Sequence, residues 1–325
     1  MTVTISSIRQ AAETIRGHAV ETPLLEVPAL NERVGSRVLL KAENLQRTGS
    51  FKFRGALNCL KSAGTERLAN GVVAWSSGNH AQGVAAAAGL LGVAATIVMP
   101  ADAPRSKVAG TRRYGADIVF YDRYNEDREA IGRALAEERG ALLVPSYDDP
   151  AVIAGQGTAG LEIVRQARAL GAPPDELLVC CGGGGLSSGI GLALRDAFPD
   201  LRVTTVEPEG FDDTRRALAS GRHERNAESA RSVCDALLTP STGRLTLPLL
   251  RSLGARGVAV SDAQALAAVH YAFRELKLVV EPGGAVALAA VLSGAVDLSG
   301  RTLIVVLSGG NIDAGMLASA LSAND

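Results

Sequence analysis

Aromatic residues and cysteines are scarce in this chain of 325 residues. Aromatic side chains make up 4% of it, and the four cysteines are Cys59, Cys180, Cys181 and Cys234. Their spacing fits neither a zinc-ligand pattern nor the framework of a small disulfide-rich protein. A chain of this length can bury a core without such cross-links. The cysteines are therefore predicted to be reduced, mostly buried thiols of a cytoplasmic protein.

The chain also lacks an excess of charge of either sign. Lysine and arginine number 33 against 34 for aspartate and glutamate, which gives a formal net charge of -1. A protein whose main partner is nucleic acid or an anionic membrane usually carries a basic excess. Both classes are therefore excluded as the primary function, and a small-molecule partner is expected.

Long apolar runs are absent as well. One uncharged stretch, residues 83–99, is interrupted by Gly89 and Gly92 and is shorter than the ~20 residues that a membrane-spanning helix needs. The first dozen residues carry charges and lack the apolar segment of a secretory signal. We expect a buried helix and strand at residues 83–99 rather than a membrane span.

Glycine, in contrast, is abundant: 36 of the 325 residues, or about 11% against roughly 7% in an average protein. Short apolar runs alternate with helix-length segments, which predicts βαβ units and an α/β fold with parallel sheet. Predicted strands cover residues 37–42, 71–75, 94–99, 117–121, 142–144, 176–181, 202–206 and 302–307. Predicted helices cover residues 6–16, 53–62, 81–91, 126–139, 157–170, 187–197, 261–276 and 284–292.

Four successive glycines follow one predicted strand and precede a predicted helix. They are Gly182, Gly183, Gly184 and Gly185. Successive glycines let backbone N–H groups point at one place, and a helix N-terminus adds a favourable dipole, so this loop is suited to bind a phosphate. The sequence is not a Walker A loop, and it lacks the spacing and the acidic residue of a dinucleotide-binding fingerprint. The alternative is a tight strand-to-helix turn, for which one glycine suffices.

Lys52 lies between two aromatic residues, Phe51 and Phe53. Desolvation there would lower the pKa of its ammonium group, as an amine nucleophile requires. A lysine in an apolar setting is, however, more often a surface residue whose charged end reaches water. Its neighbours in the sequence decide between the two interpretations.

Five segments form a pattern that spans nearly the whole chain. They are residues 41–56 (KAENLQRTGSFKFRGA), 76–83 (SSGNHAQG), the four glycines, 281–285 (EPGGA) and 308–311 (SGGN). In order and spacing they closely resemble the serine/threonine dehydratase and serine racemase family, whose members are fold-type II enzymes that use pyridoxal 5′-phosphate.

The resemblance implies a tryptophan synthase β-like architecture of two domains, each with a mostly parallel sheet flanked by helices. Residues 1–68 and 146–325 would form the larger, cofactor-binding domain, and residues 70–145 a smaller inserted domain. The cofactor would lie between them, at the carboxyl ends of strands. A homodimer is implied, and no C-terminal regulatory domain is expected.

The resemblance also implies roles for individual residues. Lys52 would bind the cofactor as a Schiff base and then act as the base at the substrate Cα, and Phe51 would pack against the pyridine ring. Asn79 would bond the ring hydroxyl, and Ser308 would face the ring nitrogen, where a neutral partner favours elimination. The implied cofactor-binding residues are Phe51, Lys52, Asn79, Gly182, Gly183, Gly184, Gly185, Leu186 and Ser308. The implied substrate-binding residues are Ser76, Ser77, Gly78, Asn79 and His80.

The implied reaction removes the Cα proton and the β-hydroxyl of an L-β-hydroxy amino acid such as threonine or serine, and yields a 2-oxo acid and ammonia. Ser77 keeps alternatives open, because serine at this position resembles the serine racemases and hydroxyaspartate dehydratases. Two bases, Lys52 and Ser77, would permit racemisation. The other interpretation is that Ser77 only caps the following helix or binds the carboxylate. An alternative of another class is a phosphometabolite-binding protein without catalysis.

An acidic turn after the predicted strand at residues 202–206 resembles the divalent-cation site of serine racemase. The implied ligands are Glu207, the carbonyl group of Phe211 and Asp213, with Asp212 as a non-ligand neighbour. Such oxygen ligands suit Mg²⁺, or Ca²⁺ and Mn²⁺. Without the resemblance, a solvated acidic turn is the simpler interpretation.

Three more residues carry expectations. Tyr147 replaces the residue that usually lies beside the cofactor ring, so the identity of the β-hydroxy amino acid stays open. His80 is expected to pack or bond locally rather than titrate during catalysis. Arg54 is expected to support the lysine loop through a salt bridge.

Overall fold

The strands form two separate sheets. The structure is a computed structural model that describes residues 2–103, 105–122, 124–298 and 300–322. The strands are Leu24–Glu26 (β1), Arg37–Ala42 (β2), Val72–Trp75 (β3), Ala95–Pro100 (β4), Asp117–Tyr121 (β5), Leu142–Leu143 (β6), Glu176–Cys180 (β7), Arg202–Pro208 (β8), Arg256–Val260 (β9) and Thr302–Leu307 (β10). One sheet has the strand order β1-β2-β10-β7-β8-β9, and the other has the order β5-β4-β3-β6.

All neighbouring strands are parallel except β1, which is antiparallel to β2. The helices are Ile5–Ile15 (α1), Pro28–Val34 (α2), Lys52–Ala63 (α3), Thr65–Leu68 (α4), Asn79–Leu90 (α5), Arg105–Arg113 (α6), Arg128–Arg139 (α7), Pro150–Ala169 (α8), Gly185–Ala197 (α9), Asp213–Ser220 (α10), Thr246–Ser252 (α11), Asp262–Arg274 (α12), Pro282–Leu292 (α13) and Ala314–Ser322 (α14). Alternating strands and helices with mostly parallel pairing confirm the predicted α/β fold.

The larger core surrounds the six-stranded sheet. Its central strands β2, β7 and β10 are mostly apolar and almost entirely buried, as expected for parallel strands that are covered on both faces. Helix α13 is buried on all sides between these strands and α12, which explains why its sequence is apolar around its whole circumference.

The smaller core lies beside the four-stranded sheet. Helices α3 and α5 pack on each other, and their apolar side chains join those of β3 and β4. Helix α3 also packs against α8, and Phe53 belongs to this smaller core, whereas Phe51 packs against the larger one. The first residue of α3, Lys52, therefore lies where the two cores meet.

The four-stranded sheet uses only strands from residues 72–143, and the six-stranded sheet uses strands from residues 24–42 and 176–307. This division supports the two-domain organisation, which we retain as a proposal. The outer ends of the expected domains, residues 1 and 323–325, lie outside the described residues. Within the described part of the chain, no helix combines the length and apolarity that crossing a bilayer requires.

Candidate active site

A deep cleft opens where strands of both sheets end. Its volume is about 1180 Å³, and it is lined by residues at or just after the ends of β3, β6, β7 and β10. The carboxyl ends of parallel strands are the usual position of a ligand site in open α/β folds. The cleft brings together the lysine segment, residues 76–80, the four glycines and Ser308, which are far apart in the sequence.

Lys52 projects into this cleft from the first turn of α3. Its Nζ donates a hydrogen bond to the carbonyl oxygen of Ser146 at 2.6 Å and lies 5.2 Å from the centre of the Phe51 ring. Surrounding protein desolvates the ammonium group and lowers the pKa of Lys52 from 10.5 to about 8. A substantial fraction of this amine is therefore neutral, and nucleophilic, near neutral pH.

The glycine loop joins β7 to α9 and presents a face of backbone donors. Gly184, which precedes the helix, has a φ of 90°, a conformation that favours glycine. The carbonyl oxygen of Gly183 accepts hydrogen bonds from Thr246 Oγ1 at 2.6 Å and from the N–H of Gly243 at 3.1 Å. The backbone N–H groups of residues 182–186 donate to no other described residue. Thr246 and Gly243 therefore fix the loop through the carbonyl oxygen of Gly183, while the backbone N–H groups of the loop remain available to bind an anion.

Tyr147 packs on the glycine loop. A Cβ atom built at Gly183 would lie 2.1 Å from the Tyr147 ring, so any side chain there would displace the ring. The Tyr147 hydroxyl donates to the carbonyl oxygen of Ser241 at 3.4 Å across the cleft. Burial, followed by the nearby carboxylates of Glu129 and Asp148, raises the pKa of Tyr147 to about 12. The Tyr147 phenol therefore stays protonated and neutral, and the residue lines the cleft.

The side-chain amide of Asn79 is held at both ends. Its Nδ2 donates to the carboxylate of Glu281, and its Oδ1 accepts from Asn311 Nδ2 at 2.7 Å. Asn311 Nδ2 also donates to the carbonyl oxygen of Thr48 at 2.7 Å, which ties the lysine loop to Asn79. Glu281 and Asn311 both lie in segments used for the resemblance, but the sequence assigned neither of them a role.

Ser308 follows β10 directly and is buried, with 4% of its surface exposed. Its carbonyl oxygen accepts from the N–H of Phe51 at 3.1 Å, and its side chain hydrogen-bonds the thiol of Cys180. Burial raises the pKa of Cys180 to about 11, so this thiol stays protonated. Cys180 is a further cleft residue that the sequence placed only in an apolar strand.

Residues 76–80 lead from β3 into α5. Ser76 Oγ accepts from the N–H of Gly78 at 3.2 Å, whereas Ser77 lines the cleft and has no side-chain hydrogen bond to any described residue. Gly78 precedes the helix and no side chain caps it, so the interpretation of Ser77 as a helix cap is wrong. The N–H groups of Asn79 and His80 donate to no described residue, which leaves them for a carboxylate.

His80 is buried beside Lys52. Its Nε2 bonds the carbonyl oxygen of Val144 at 2.9 Å, so this nitrogen carries the proton and donates it. Burial, followed by the charge of Lys52, lowers the pKa of His80 to about 3. The imidazole is therefore neutral at physiological pH and makes a local structural bond.

Arg54 forms the predicted salt bridge, two residues after Lys52. Its guanidinium pairs with Glu43 at 2.8 Å and with Glu162 at 2.6 Å, and Lys41 Nζ pairs with Glu162 at 2.7 Å. Arg54, Glu43 and Lys41 are essentially inaccessible to solvent. This network anchors the helix that carries Lys52.

Glu207 and Asp213 lie near each other and near Cys181, the residue that precedes the glycine loop. Both carboxylate oxygens of Glu207 accept backbone N–H groups, from Thr214 at 2.9 Å and Arg215 at 2.7 Å. Burial raises the pKa of both acids, and the charge of Asp213 adds to the increase at Glu207. No group of three or more His, Cys, Asp or Glu side chains arranged for a metal occurs among the described residues. Phe211 is buried on the same turn, and Asp212 pairs with Arg215 and Arg216.

Known proteins resemble this chain along nearly its whole length. The family described as "Pyridoxal-phosphate dependent enzyme" matches residues 15–309. L-threo-3-hydroxyaspartate ammonia-lyase of Pseudomonas sp is 45% identical over 312 residues, which cover 96% of each chain. The crystal structure of threonine deaminase from T.th. has a TM-score of 0.89 at 44% identity, and the match covers 95% of this chain and 99% of that one. Maize serine racemase gives a TM-score of 0.91 at 35% identity, with coverage of 99% and 98%.

Proposed function

The chain belongs to the pyridoxal-phosphate-dependent enzymes and is an ammonia-lyase for a β-hydroxy amino acid, and we propose that its substrate is L-threo-3-hydroxyaspartate. This family membership removes the alternative of a phosphometabolite-binding protein without catalysis.

The cleft fits the cofactor. Unpartnered N–H groups at residues 182–186 suit its phosphate, and the amine of Lys52, with a pKa of about 8, suits its aldehyde carbon. We propose that Phe51 and Asn79 contact the ring and that Ser308 faces the ring nitrogen. When bound, the cofactor withdraws electrons from the substrate Cα and so acidifies the Cα proton.

We propose that Lys52 Nζ accepts that proton. Burial lowers the pKa of Lys52 to about 8, so about half of the amine is neutral at pH 8, and the carbonyl oxygen of Ser146 orients it within the cleft. The N–H groups of Asn79 and His80 at the start of α5 would hold the substrate α-carboxylate, aided by the helix dipole. Residues 76–78 would complete this binding loop.

The charge of the cleft supports a substrate with a second carboxylate. Arg128, Arg225 and Arg244 line the cleft and form no ion pair with any described residue. The acids of the cleft already have partners: Asp235 pairs with Lys107, Glu129 with Arg133, and Glu281 bonds Asn79. Asp148 accepts the N–H groups of Arg244 and Leu245. The three guanidinium groups outnumber Asp148 and Glu281, the two cleft acids that bond neutral groups, so the uncompensated charge of the cleft is positive.

Arg128 is the strongest candidate for binding the β-carboxylate. It is the first residue of α7, is half-buried, and lies close enough to Tyr147 to influence its phenol electrostatically. A guanidinium can bind a carboxylate through two parallel hydrogen bonds. Serine and threonine have no group that would use this charge.

The test compares release of the 2-oxo acid from L-threo-3-hydroxyaspartate, L-threonine and L-serine. Arg128→Gln should lower kcat/KM for hydroxyaspartate by about 100-fold, the effect of removing one member of a buried charge pair. It should change the value for serine little. Arg133→Gln is the matched control, because Arg133 is exposed and pairs with Glu129. An equal loss for all three substrates, or a preference of the unaltered enzyme for threonine, would contradict the proposal.

Racemisation of serine is a second candidate activity. It is supported by the free Ser77 side chain in the cleft and by the likeness to maize serine racemase. We propose that Lys52 and Ser77 serve opposite faces of the substrate Cα, one removing the proton and the other returning it.

We also propose a divalent cation, Mg²⁺ or else Ca²⁺ or Mn²⁺, at Glu207, the carbonyl group of Phe211 and Asp213. Both acids are buried, and the charge of Asp213 raises the pKa of Glu207, so a cation would neutralise the charge of this site. Further proposals are a homodimer and a cytoplasmic location. The location is supported by the four cysteines, which are all free and buried.

A further inference from the structure

One hydroxyl group in the cleft has no hydrogen-bond partner. Thr239 lines the cleft, and its Oγ1 is enclosed by protein, yet it bonds to none of the described residues. A buried hydroxyl that has lost its water and gained no partner is unfavourable. Such a group therefore points to a ligand that completes it.

Thr239 lies directly against the glycine loop. A Cβ atom built at Gly182 would be 3.4 Å from Thr239 Oγ1 and 3.5 Å from its Cγ2. The hydroxyl thus faces the first glycine of the loop, whose N–H group is also without a partner among the residues described. Gly182 and Thr239 both line the cleft.

The other threonines near this loop do not share this property. Thr242 Oγ1 donates to Asp213 at 2.7 Å, and Thr246 Oγ1 donates to the carbonyl oxygen of Gly183 at 2.6 Å. The Thr246 hydroxyl holds the glycine loop and the Thr242 hydroxyl holds Asp213, so the protons of both are committed. Only the Thr239 hydroxyl, of these three, keeps its proton for another acceptor.

The backbone of Thr239 is held in position. Its N–H donates to the carbonyl oxygen of Leu237 at 2.9 Å, and its own carbonyl oxygen accepts from Asn226 Nδ2 at 2.9 Å. Asn226 Nδ2 also donates to Asp213 at 2.6 Å, so the segment is fastened to α10. Hydrogen bonds therefore fix the backbone that carries this hydroxyl before any ligand binds.

We propose that Thr239 Oγ1 donates its proton to a phosphate oxygen of the cofactor and completes the cradle that residues 182–186 begin. The phosphate is an anion, so this bond is charge-assisted and stronger than a bond between neutral groups. The role rests on the cofactor and not on the identity of the substrate.

The experiment measures binding rather than turnover. The holoenzyme is resolved from its cofactor and titrated with pyridoxal phosphate and with pyridoxal, which lacks the phosphate. Thr239→Val, which keeps the shape and removes the donor, should weaken binding of pyridoxal phosphate by about 10-fold and leave pyridoxal unchanged. The phosphorus-31 resonance of the bound cofactor should shift in the same variant.

Thr239→Ser is the matched control, because it keeps the hydroxyl and removes only the methyl group. It should restore both the affinity and the phosphorus resonance. Thr239→Val with unchanged affinity and an unchanged resonance would overturn the proposal. Equal weakening in both variants, for pyridoxal as well as for pyridoxal phosphate, would also overturn it, because packing of the methyl group would then explain the effect. Since no outcome depends on the substrate, the proposed activity can fail independently.

Discussion

The carboxylate of Glu281 accepts a hydrogen bond from the side-chain amide of Asn79, and this contact fixes the orientation of that amide. Asn311 bonds the opposite end, so the nitrogen of Asn79 faces Glu281 and its oxygen faces Asn311. Glu281 is buried, and its burial raises the pKa of its carboxyl group. The amide that we propose for the cofactor ring is thus positioned by two residues from the far end of the chain.

Glu281→Ala should therefore disturb the cofactor environment. It leaves an Asn79 N–H without its acceptor, and the amide is then free to rotate. We expect cofactor affinity to fall by about 10-fold and the visible absorbance maximum of the holoenzyme to shift. Glu281→Gln keeps an acceptor and should have a smaller effect. Identical spectra and affinities in all three proteins would show that Glu281 does not orient Asn79.

Capture of the cofactor should depend on pH through Lys52. Burial lowers the pKa of its ammonium from 10.5 to about 8, so the neutral, nucleophilic fraction rises as pH increases through that value. At pH 8 about half of the amine is neutral, against under 1% for an ordinary lysine. The rate at which the cofactor-free protein gains visible absorbance should rise and level off above that pH.

The control for this measurement is Lys52→Arg, which should capture no cofactor covalently. A rate that does not change with pH would contradict the assignment. So would a rate that still rises steeply above about pH 10, since that is the behaviour of an unperturbed lysine.

The buried ion network under the lysine helix should be important for stability. Arg54→Met removes the ion-pair partner of Glu43 and one of the two partners of Glu162, and it leaves uncompensated charge in the interior. Breaking a buried pair in this way costs about 3–5 kcal/mol, which chemical denaturation would measure. Arg9→Met is the control, because the Arg9–Asp196 pair is exposed and should contribute under about 1 kcal/mol. Similar losses in the two variants would show that burial does not amplify the Arg54 network.

Substitution of Ser77 should reduce racemisation without stopping elimination. If Ser77 Oγ exchanges a proton with the substrate Cα, Ser77→Ala should lower D-serine formation by about 100-fold or more. Elimination should continue, because Lys52 serves the other face. Ser76→Ala is the control, since Ser76 Oγ is occupied by the N–H of Gly78. Undiminished D-serine formation in Ser77→Ala, or none in the unaltered enzyme, would exclude the two-base mechanism.

The sequence predicted the strands well because buried parallel strands are continuous apolar runs. Every strand predicted from those runs appears in the structure, with end points that differ by a few residues at most. The two strands that were missed are at the edges of the larger sheet. β1 has three residues, and β9 begins with Arg256 and Gly257, so neither shows the apolar run of a central strand.

Helix α8 was predicted to begin at residue 157 but begins at Pro150. Asp149 caps it by accepting the N–H groups of Ala151 and Val152. The glycines in its first turns lower the intrinsic helix propensity of this segment. In the structure they permit close packing: a Cβ atom at Gly155 would lie 2.7 Å from the carbonyl oxygen of Arg54. Part of the glycine excess therefore serves contacts between helices rather than ligand binding.

The site was predictable where a motif lies within one segment, as for Lys52 and the four glycines. Contacts between segments were not, because no local pattern shows that Glu281 meets Asn79 or that Thr239 meets Gly182. Thr239 belongs to no motif, and its significance appears only when its hydroxyl is seen to be buried without a partner.

Removal of a divalent cation should destabilise the enzyme through Asp213. This carboxylate accepts the N–H and the hydroxyl of Thr242, which lies beside the cleft and next to Gly243, the donor to the glycine loop. A cation that binds only the folded state at 100 times its dissociation constant adds about 2.7 kcal/mol. A chelator should thus lower the melting temperature by several degrees and reduce activity, and Mg²⁺ should restore both.

Two neighbouring aspartates provide a matched comparison for this effect. Asp213→Asn should abolish the response to the chelator, because it removes one of the proposed ligands. Asp212→Asn should retain the response, because Asp212 is occupied with Arg215 and Arg216. Asp212→Asn is a matched control for Asp213→Asn, because each substitution removes one negative charge from the same turn and the two differ only in position. If the chelator changes neither the melting temperature nor the activity of the unaltered protein, Glu207 and Asp213 serve only to cap α10 and to hold Thr242.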